Sequence, residues 1–390
     1  MNQRVAIVAS AQTKFLASQN VLSIGEMIWE VVHKVLVETG LPFEAQERKG
    51  DGPFIDKIIS CSEDYWQGRT ISDCLYHLEM GALGMDVTKV SADGAFAFAH
   101  AFVSILSGKH DVILVVAYRK ESETSRHMIE NAGFDPIYLR PLGLDFLMAA
   151  AMQANRYMWK YGVTEEQCAR VVVQSRKHAL LNPYAQEHGE LTVSDVLGSE
   201  MLSSPIKRLD CKPVSDGACA MILAKGEIAK SLTDKPVWIA GVGHCYDSHN
   251  PGDRDLADCP PALEIAAGKA YEMAGIKHPA EEVHLAEISG EYSYQELLWM
   301  EGLGLCGRGQ AARWIEEGKT RRDGRLPVNP SGGVLSGNPS GVSGLVRVAE
   351  ASLQLKQQAG ERQIQHVETA LAHGFYGPNG QAHCVCVLKK

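Results

Sequence analysis

No CxxC pair, no long apolar run and no basic excess occur in this chain of 390 residues. Each absence excludes something. Without about 18 continuous apolar residues, no segment reads as a transmembrane helix. With 38 Lys and Arg against 47 Asp and Glu, the net charge of −9 gives no electrostatic footprint for nucleic acid. Phosphate-bearing ligands stay open, because a few local cations or a helix N-terminus can hold them. The ten cysteines lack zinc-finger or thioredoxin-like spacing. Cys384-Val385-Cys386 is a CxC inside an apolar run, and its sulfurs read as alternating along a C-terminal strand rather than binding metal. Most of the others sit among small apolar residues, as expected of core packing in a reduced, cytoplasmic chain. His244 and His249, near Cys245 and Asp247, hint at metal by composition but lack a second ligand pair, so no metal site is expected.

What is present reads as an ordinary globular protein, 45% hydrophobic and 22% charged, long enough for two domains or one large duplicated one. Strand and helix signals alternate, which argues α/β. Arg4 to Ala9 reads as a strand rather than a signal peptide, Ile24 to Glu38 as a helix, and Lys57 to Cys61 as a short strand. Ala95 to Leu106 is apolar on nearly all sides, so it predicts a buried helix, and Asp111 to Ala117 predicts a strand buried on both faces. Ser122 to Met148 lacks clean periodicity and reads as a long excursion, a lid or an interface loop. Ala149 to Tyr161 and Thr164 to Ala179 predict helices, the second opened by a Thr164…Gln167 capping box. A boundary falls near Leu232 to Pro236, dividing the chain into 1–235, with an insertion over about 122–235, and 236–390. Glycine-rich loop, buried helix and apolar strand occur once in each part, near residues 91–117 and 337–373, which suggests duplication with shared chemistry between the halves.

Four segments then carry a resemblance. They are Ser91-Ala92-Asp93-Gly94 followed by Ser107-Gly108, Ser215-Asp216-Gly217-Ala218, Glu296-Leu297-Leu298 running to Gly304-Leu305-Cys306, and Asn329-Pro330-Ser331-Gly332-Gly333 followed by Gly337-Asn338-Pro339-Ser340-Gly341-Val342-Ser343-Gly344. Together they resemble the thiolase superfamily, in particular its sterol-carrier-protein-type and unorthodox members. The resemblance implies a thiolase fold: two duplicated α/β halves in a five-layer α-β-α-β-α arrangement. It also implies acyl-CoA thioesters as substrates with coenzyme A and no bound cofactor, and a homodimer core. An OB-fold, zinc-binding partner subunit is implied as well.

In that family a cysteine at a helix N-terminus is the nucleophile, because positive potential and free N–H groups lower its pKa and hold an oxyanion. Here Ser91 stands at that place. Asn338 replaces the histidine of the second glycine-rich loop, Ser289-Gly290-Glu291-Tyr292 replaces a further catalytic segment, and His373 lies in the C-terminal one. The candidate catalytic residues are therefore Ser91, Glu291, Asn338 and His373, with Tyr292, Tyr294 and Tyr376 as further acid/base groups. Three readings follow. One is carbon–carbon cleavage beside an acyl-CoA thioester, by retro-aldol or thiolytic chemistry, in breakdown of an aromatic or steroid-like acyl-CoA. The second is an acyltransferase using Ser91. The third is an inactive scaffold subunit. Ser91 also reads as a plain helix N-cap, with Asp93 able to do the same job.

Overall fold

The computed structural model describes residues 4–43 and 52–390. Its strands are β1 (Val5–Gln12), β2 (Lys57–Cys61), β3 (Asp86–Val90), β4 (Val112–Lys120), β5 (Met201–Ser203), β6 (Ile206–Lys207), β7 (Asp216–Lys225), β8 (Val237–Tyr246), β9 (Leu285–Ile288), β10 (Thr369–Tyr376) and β11 (Ala382–Lys389). Apart from the small β5-β6 ribbon they form one nine-stranded sheet, ordered β3-β2-β4-β7-β1-β8-β11-β10-β9.

The duplication is written in that order. Outward from the middle, the first half runs β1-β7-β4-β2 and the second β8-β11-β10-β9. Pairing sense agrees at every step: antiparallel, antiparallel, then parallel in both halves. The place of β3 is taken in the second half by a single bridge, Ala286 to Val328. Among the described residues only Ala6–Trp238 and Ile7–Val237 join the two half-sheets, so they stack instead of lying flat.

Three apolar clusters separate the layers. Helices Gly94–Leu106 and Ser343–Lys356 pack between the half-sheets, sharing a core with Ile113, Met221, Ala372 and Cys384. Helix Ile24–Thr39 covers the outer face of the first half-sheet. Helices Pro261–Ala274 and Ser293–Gly302 cover the outer face of the second. The result is the expected α-β-α-β-α stack. In β11, Cys384 and Cys386 face the middle layer while Val385 and Val387 face the outer one, the period-2 signature of a strand buried on both sides.

Three expectations shift. Helix Phe146–Tyr161 begins before Ala149, because the Asp145 side chain caps it by accepting from the Met148 N–H at 2.8 Å. The excursion carries a short helix, Arg126–Ala132. It also returns to the sheet at Asp216, since β7 lies between β4 and β1; the segment up to 235 is therefore not all insertion. The Thr164…Gln167 capping box forms as expected. Among the described residues no helix is long and apolar enough to cross a membrane.

Candidate functional site

The two central helices, one from each half, bring their N-termini together on a single carboxylate. Asp93 caps its own helix by accepting from Ala95 N at 2.9 Å. Its other oxygen accepts from Gly344 N at 2.9 Å and Ser343 Oγ at 3.2 Å, in the first turn of the second helix. Gly344 and Gly374 leave the room for this, since a Cβ on either would collide with Asp93 Oδ1. Burial pushes the Asp93 carboxyl up to about 6. Asp93 thus holds the positive ends of both helices, the potential that would otherwise activate a nucleophile here. Ser91 is exposed, and Asp93 rather than Ser91 is the N-cap. Among the described residues, no carboxylate or imidazole hydrogen-bonds the Ser91 hydroxyl.

Beside this junction lies a cavity of about 160 Å³, lined from both halves. Glu63, Arg119 and Glu130 come from the first half and its excursion; Glu291, Ser340 and Tyr376 come from the second. Trp66, Phe146 and Phe375 supply aromatic walls. The Tyr376 hydroxyl donates to Glu63 Oε1, and Arg119 donates to Glu63 Oε2 at 2.5 Å. Arg119 is itself buried, with its guanidinium 4.8 Å from the centre of the Trp66 ring. Burial and the Glu63 carboxylate push the Tyr376 phenol well above its ordinary range, so it stays protonated at neutral pH. Across the cavity, Glu291 accepts from Ser340 Oγ and from Arg126 Nη2, the latter at 3.1 Å. Arg126 also pairs with Glu130, whose carboxyl burial pushes upward.

A buried pair fixes this frame. Lys212 Nζ donates to both Glu121 oxygens at 2.8 Å, and Glu121 also accepts from Ser340 N at 2.8 Å. Lys212 N donates to the Glu291 carbonyl at 2.7 Å. The backbones of Ser340 and Glu291 are therefore anchored to the same ion pair.

Of the residues singled out by sequence, Glu291 and Tyr376 line the cavity. Ser91, Asn338 and His373 do not. Asn338 is buried behind the Ser340 loop, accepting from Arg347 Nη2 at 2.5 Å, while Arg347 Nη1 pairs with Glu287 at 2.5 Å. His373 is wholly buried one layer deeper, under Phe375, whose ring stacks on it with centroids 6.3 Å apart. His383 Nε2 donates to the Gly380 carbonyl at 2.8 Å, which leaves His383 Nδ1 to accept from His373 Nε2 at 2.9 Å. Burial holds His373 down to about 3, so both rings are neutral. Tyr292 and Tyr294 belong to the outer core, Tyr294 donating to Gln153 at 2.9 Å. Cys61, near the Ser91 loop, donates to the Ala92 and Gly341 carbonyls, and burial raises its pKa, so it stays a thiol. Away from the cavity, Asp73, Cys74 and His77 place ligand atoms within 4.8 Å of one another and could hold a metal ion.

Sequence reasoning missed Glu63, Glu130, Arg126 and Ser340. The one available signal was charge closing an otherwise apolar strand: Arg119, Lys120 and Glu121 follow Val112–Tyr118, and two of these three build the site.

Comparison with known proteins agrees with this layout. Residues 245–390 match the family model described as thiolase C-terminal domain-like. The chain is 32% identical to the acetyl-CoA acetyltransferase of Methanothermobacter thermautotrophicus, over 97% of each chain. It is 34% identical to the benzoylsuccinyl-CoA thiolase subunit BbsB of Thauera aromatica, over 60% of this chain and 63% of that one. Its fold is similar to that in the solved structure of an Ltp2-ChsH2(DUF35) aldolase, with a TM-score of 0.83, 23% identity, and coverage of 99% of this chain and 97% of that one.

Proposed function

The chain belongs to the thiolase family, and from that premise we propose that it breaks or forms a carbon–carbon bond beside an acyl-CoA thioester by acid–base chemistry, with no acyl-enzyme. One observation carries this reading: the cavity between the halves holds Glu291 facing a Tyr376–Glu63 pair, while residue 91 lies outside it with no base attached.

In the cleavage direction, Glu291 removes the proton of a β-hydroxyl. The Cα–Cβ bond breaks, its electron pair moves toward the thioester carbonyl, and a carbonyl product leaves. Tyr376 returns a proton to the α-carbon. A phenol with a raised pKa is still far more acidic than that carbon, so the transfer runs downhill; water then reprotonates the phenoxide and takes the proton that Glu291 removed, which restores the site. No oxidant and no free coenzyme A are consumed. No bound cofactor is needed, coenzyme A being the carrier of the acyl group.

Trp66, Phe146 and Phe375 favour a flat apolar acyl group, consistent with an aromatic or steroid-like acyl-CoA. A relative named as a benzoylsuccinyl-CoA thiolase subunit supports an aromatic acyl group, and a fold neighbour named as an aldolase with a DUF35 partner accords with carbon–carbon cleavage on this fold. They also support assembly with a further subunit, which we propose is the OB-fold, zinc-binding kind that the resemblance implies, around a homodimer core.

The test is cleavage of a β-hydroxyacyl-CoA against a β-ketoacyl-CoA, with and without free coenzyme A. The chain is assayed alone and with the subunit encoded beside it. Product from the hydroxy ester without added coenzyme A is expected. Product only from the keto ester, and only with coenzyme A, would assign thiolysis instead. Turnover of neither under any condition would leave a scaffold role.

A further inference from the structure

At the other end of β9 and β10 from the cavity lies a much larger groove, of about 1210 Å³. Val283 and His284, just before β9, and Gln363 to His366, before β10, line it, together with helix Glu165–Ala179 and the 321–325 loop. Glu291 lies just past the opposite end of β9, and Tyr376 is the last residue of β10 at that same end. We infer that this groove is a second binding site, for a polyphosphorylated small molecule of nucleotide size.

Charge is the first argument. Arg170, Lys177, Arg321, Arg322 and Arg325 line the groove, against Glu281 and Asp323 as its acids. Among the described residues none of these five cations forms an ion pair. In a chain of net charge −9, gathering unpaired cations around one concavity is a local inversion of sign. Like charges so placed repel one another until an anion joins them, and guanidinium forks match phosphate oxygens in pairs.

The second argument is that the site is built and not merely a surface patch. Arg322 Nη2 donates to the Glu361 carbonyl at 2.8 Å, which fixes the side chain, while its Nε–H is buried without an acceptor. His284 Nδ1 accepts from the Glu368 and Thr369 N–H groups, each at 3.1 Å, which leaves Nε2 as its donor nitrogen. Burial, reinforced by Arg322 and Lys177, holds His178 down to about 4; it stays neutral beside the cations. Val173, Leu181 and Ile315 give an apolar part of the lining for the rest of the ligand. At about 1210 Å³ the groove exceeds the roughly 300–1,000 Å³ of ordinary small-molecule sites, which leaves room for a body of nucleotide size. Two sources share this chemistry: a free nucleotide, or the nucleotide end of a coenzyme A molecule.

The experiment titrates the full chain with ATP, coenzyme A and pantetheine by calorimetry, beside the double variant R321E/R325E. Both arginines are exposed, and an unchanged melting temperature certifies the variant. Saturable binding of ATP, weakened roughly tenfold or more in the variant, is expected for a free-nucleotide site. Binding of coenzyme A but not ATP, with the same weakening, would also support the site and assign the source to coenzyme A. Three outcomes would overturn it. They are no saturable binding of either nucleotide, binding equal in chain and variant, and pantetheine binding as tightly as coenzyme A.

Discussion

Two loops occupy equivalent places in the duplicated halves, Ser91 to Asp93 before one central helix and Gly337 to Val342 before the other, yet they do opposite things. The first is closed on itself: Asp93 holds its own helix end and reaches across to the partner helix. The second opens onto the cavity, where Ser340 donates to Glu291. Duplication supplied the same strand order and the same buried helix in both halves. Of the two loops, only the second reaches the cavity, whose lining comes from both halves. The helix N-terminus that activates a cysteine elsewhere in the family is here occupied by a resident carboxylate. The acid–base groups gathered instead where the excursion, β4, β10 and the Ser340 loop meet.

That contrast can be broken from either side. The largest effect is expected in the open half. Glu291→Gln should lower kcat on a β-hydroxyacyl-CoA by about 10²–10⁴, with coenzyme A binding retained; a variant within about twofold of wild type would remove Glu291 from the reaction. Arg347→Met should come next, read as stability in urea. It leaves Glu287 buried without its cation behind the loop that carries Ser340, held only by the Ser331 N–H and hydroxyl, a loss of about 3–5 kcal/mol. Unchanged stability would mean that the loop is held by other contacts.

A smaller effect belongs to the closed half. Folded Asp93 keeps its proton up to about pH 6, whereas its ordinary value is 3.8. Between these values the folded state binds more protons than the unfolded one. The Asp93 contribution to stability is therefore complete below about pH 4, falls as pH rises to about 6, and is flat above. Asp93→Asn should flatten that part of the profile by roughly 2–3 kcal/mol in chemical denaturation. Identical slopes in variant and wild type would mean the carboxyl is not held as described.

Much of the fold was legible in the sequence, because its signals are local. β2 has its expected ends, Lys57 and Cys61, and the helix from Gly94 and the capping box at Thr164 follow from apolar runs and cap residues. β7 was hidden because Asp216 and Gly217, which head it, are residue types depleted in strands. The site was legible only in part. Tyr376 and Glu63 are 313 residues apart and Ser340 and Glu291 49 apart, so nothing in local spacing announces their contact. Asn338 and His373 carry the residue types of catalysis and sit beside glycines, as expected of site residues. Depth separates them from the cavity: the Arg347–Glu287 pair takes up the first, and the Phe375 ring covers the second. Depth is a property of packing that no periodicity encodes.

The central claim is that residue 91 no longer carries the chemistry and the cavity carboxylate does. It is tested most directly by measuring kcat of Ser91→Ala and Glu291→Gln side by side on one β-hydroxyacyl-CoA. The account predicts Ser91→Ala within about twofold of wild type, as for an exposed side chain without partners, and Glu291→Gln slower by about a hundredfold or more. A Ser91→Ala enzyme that has lost its activity while Glu291→Gln keeps it would contradict the account outright.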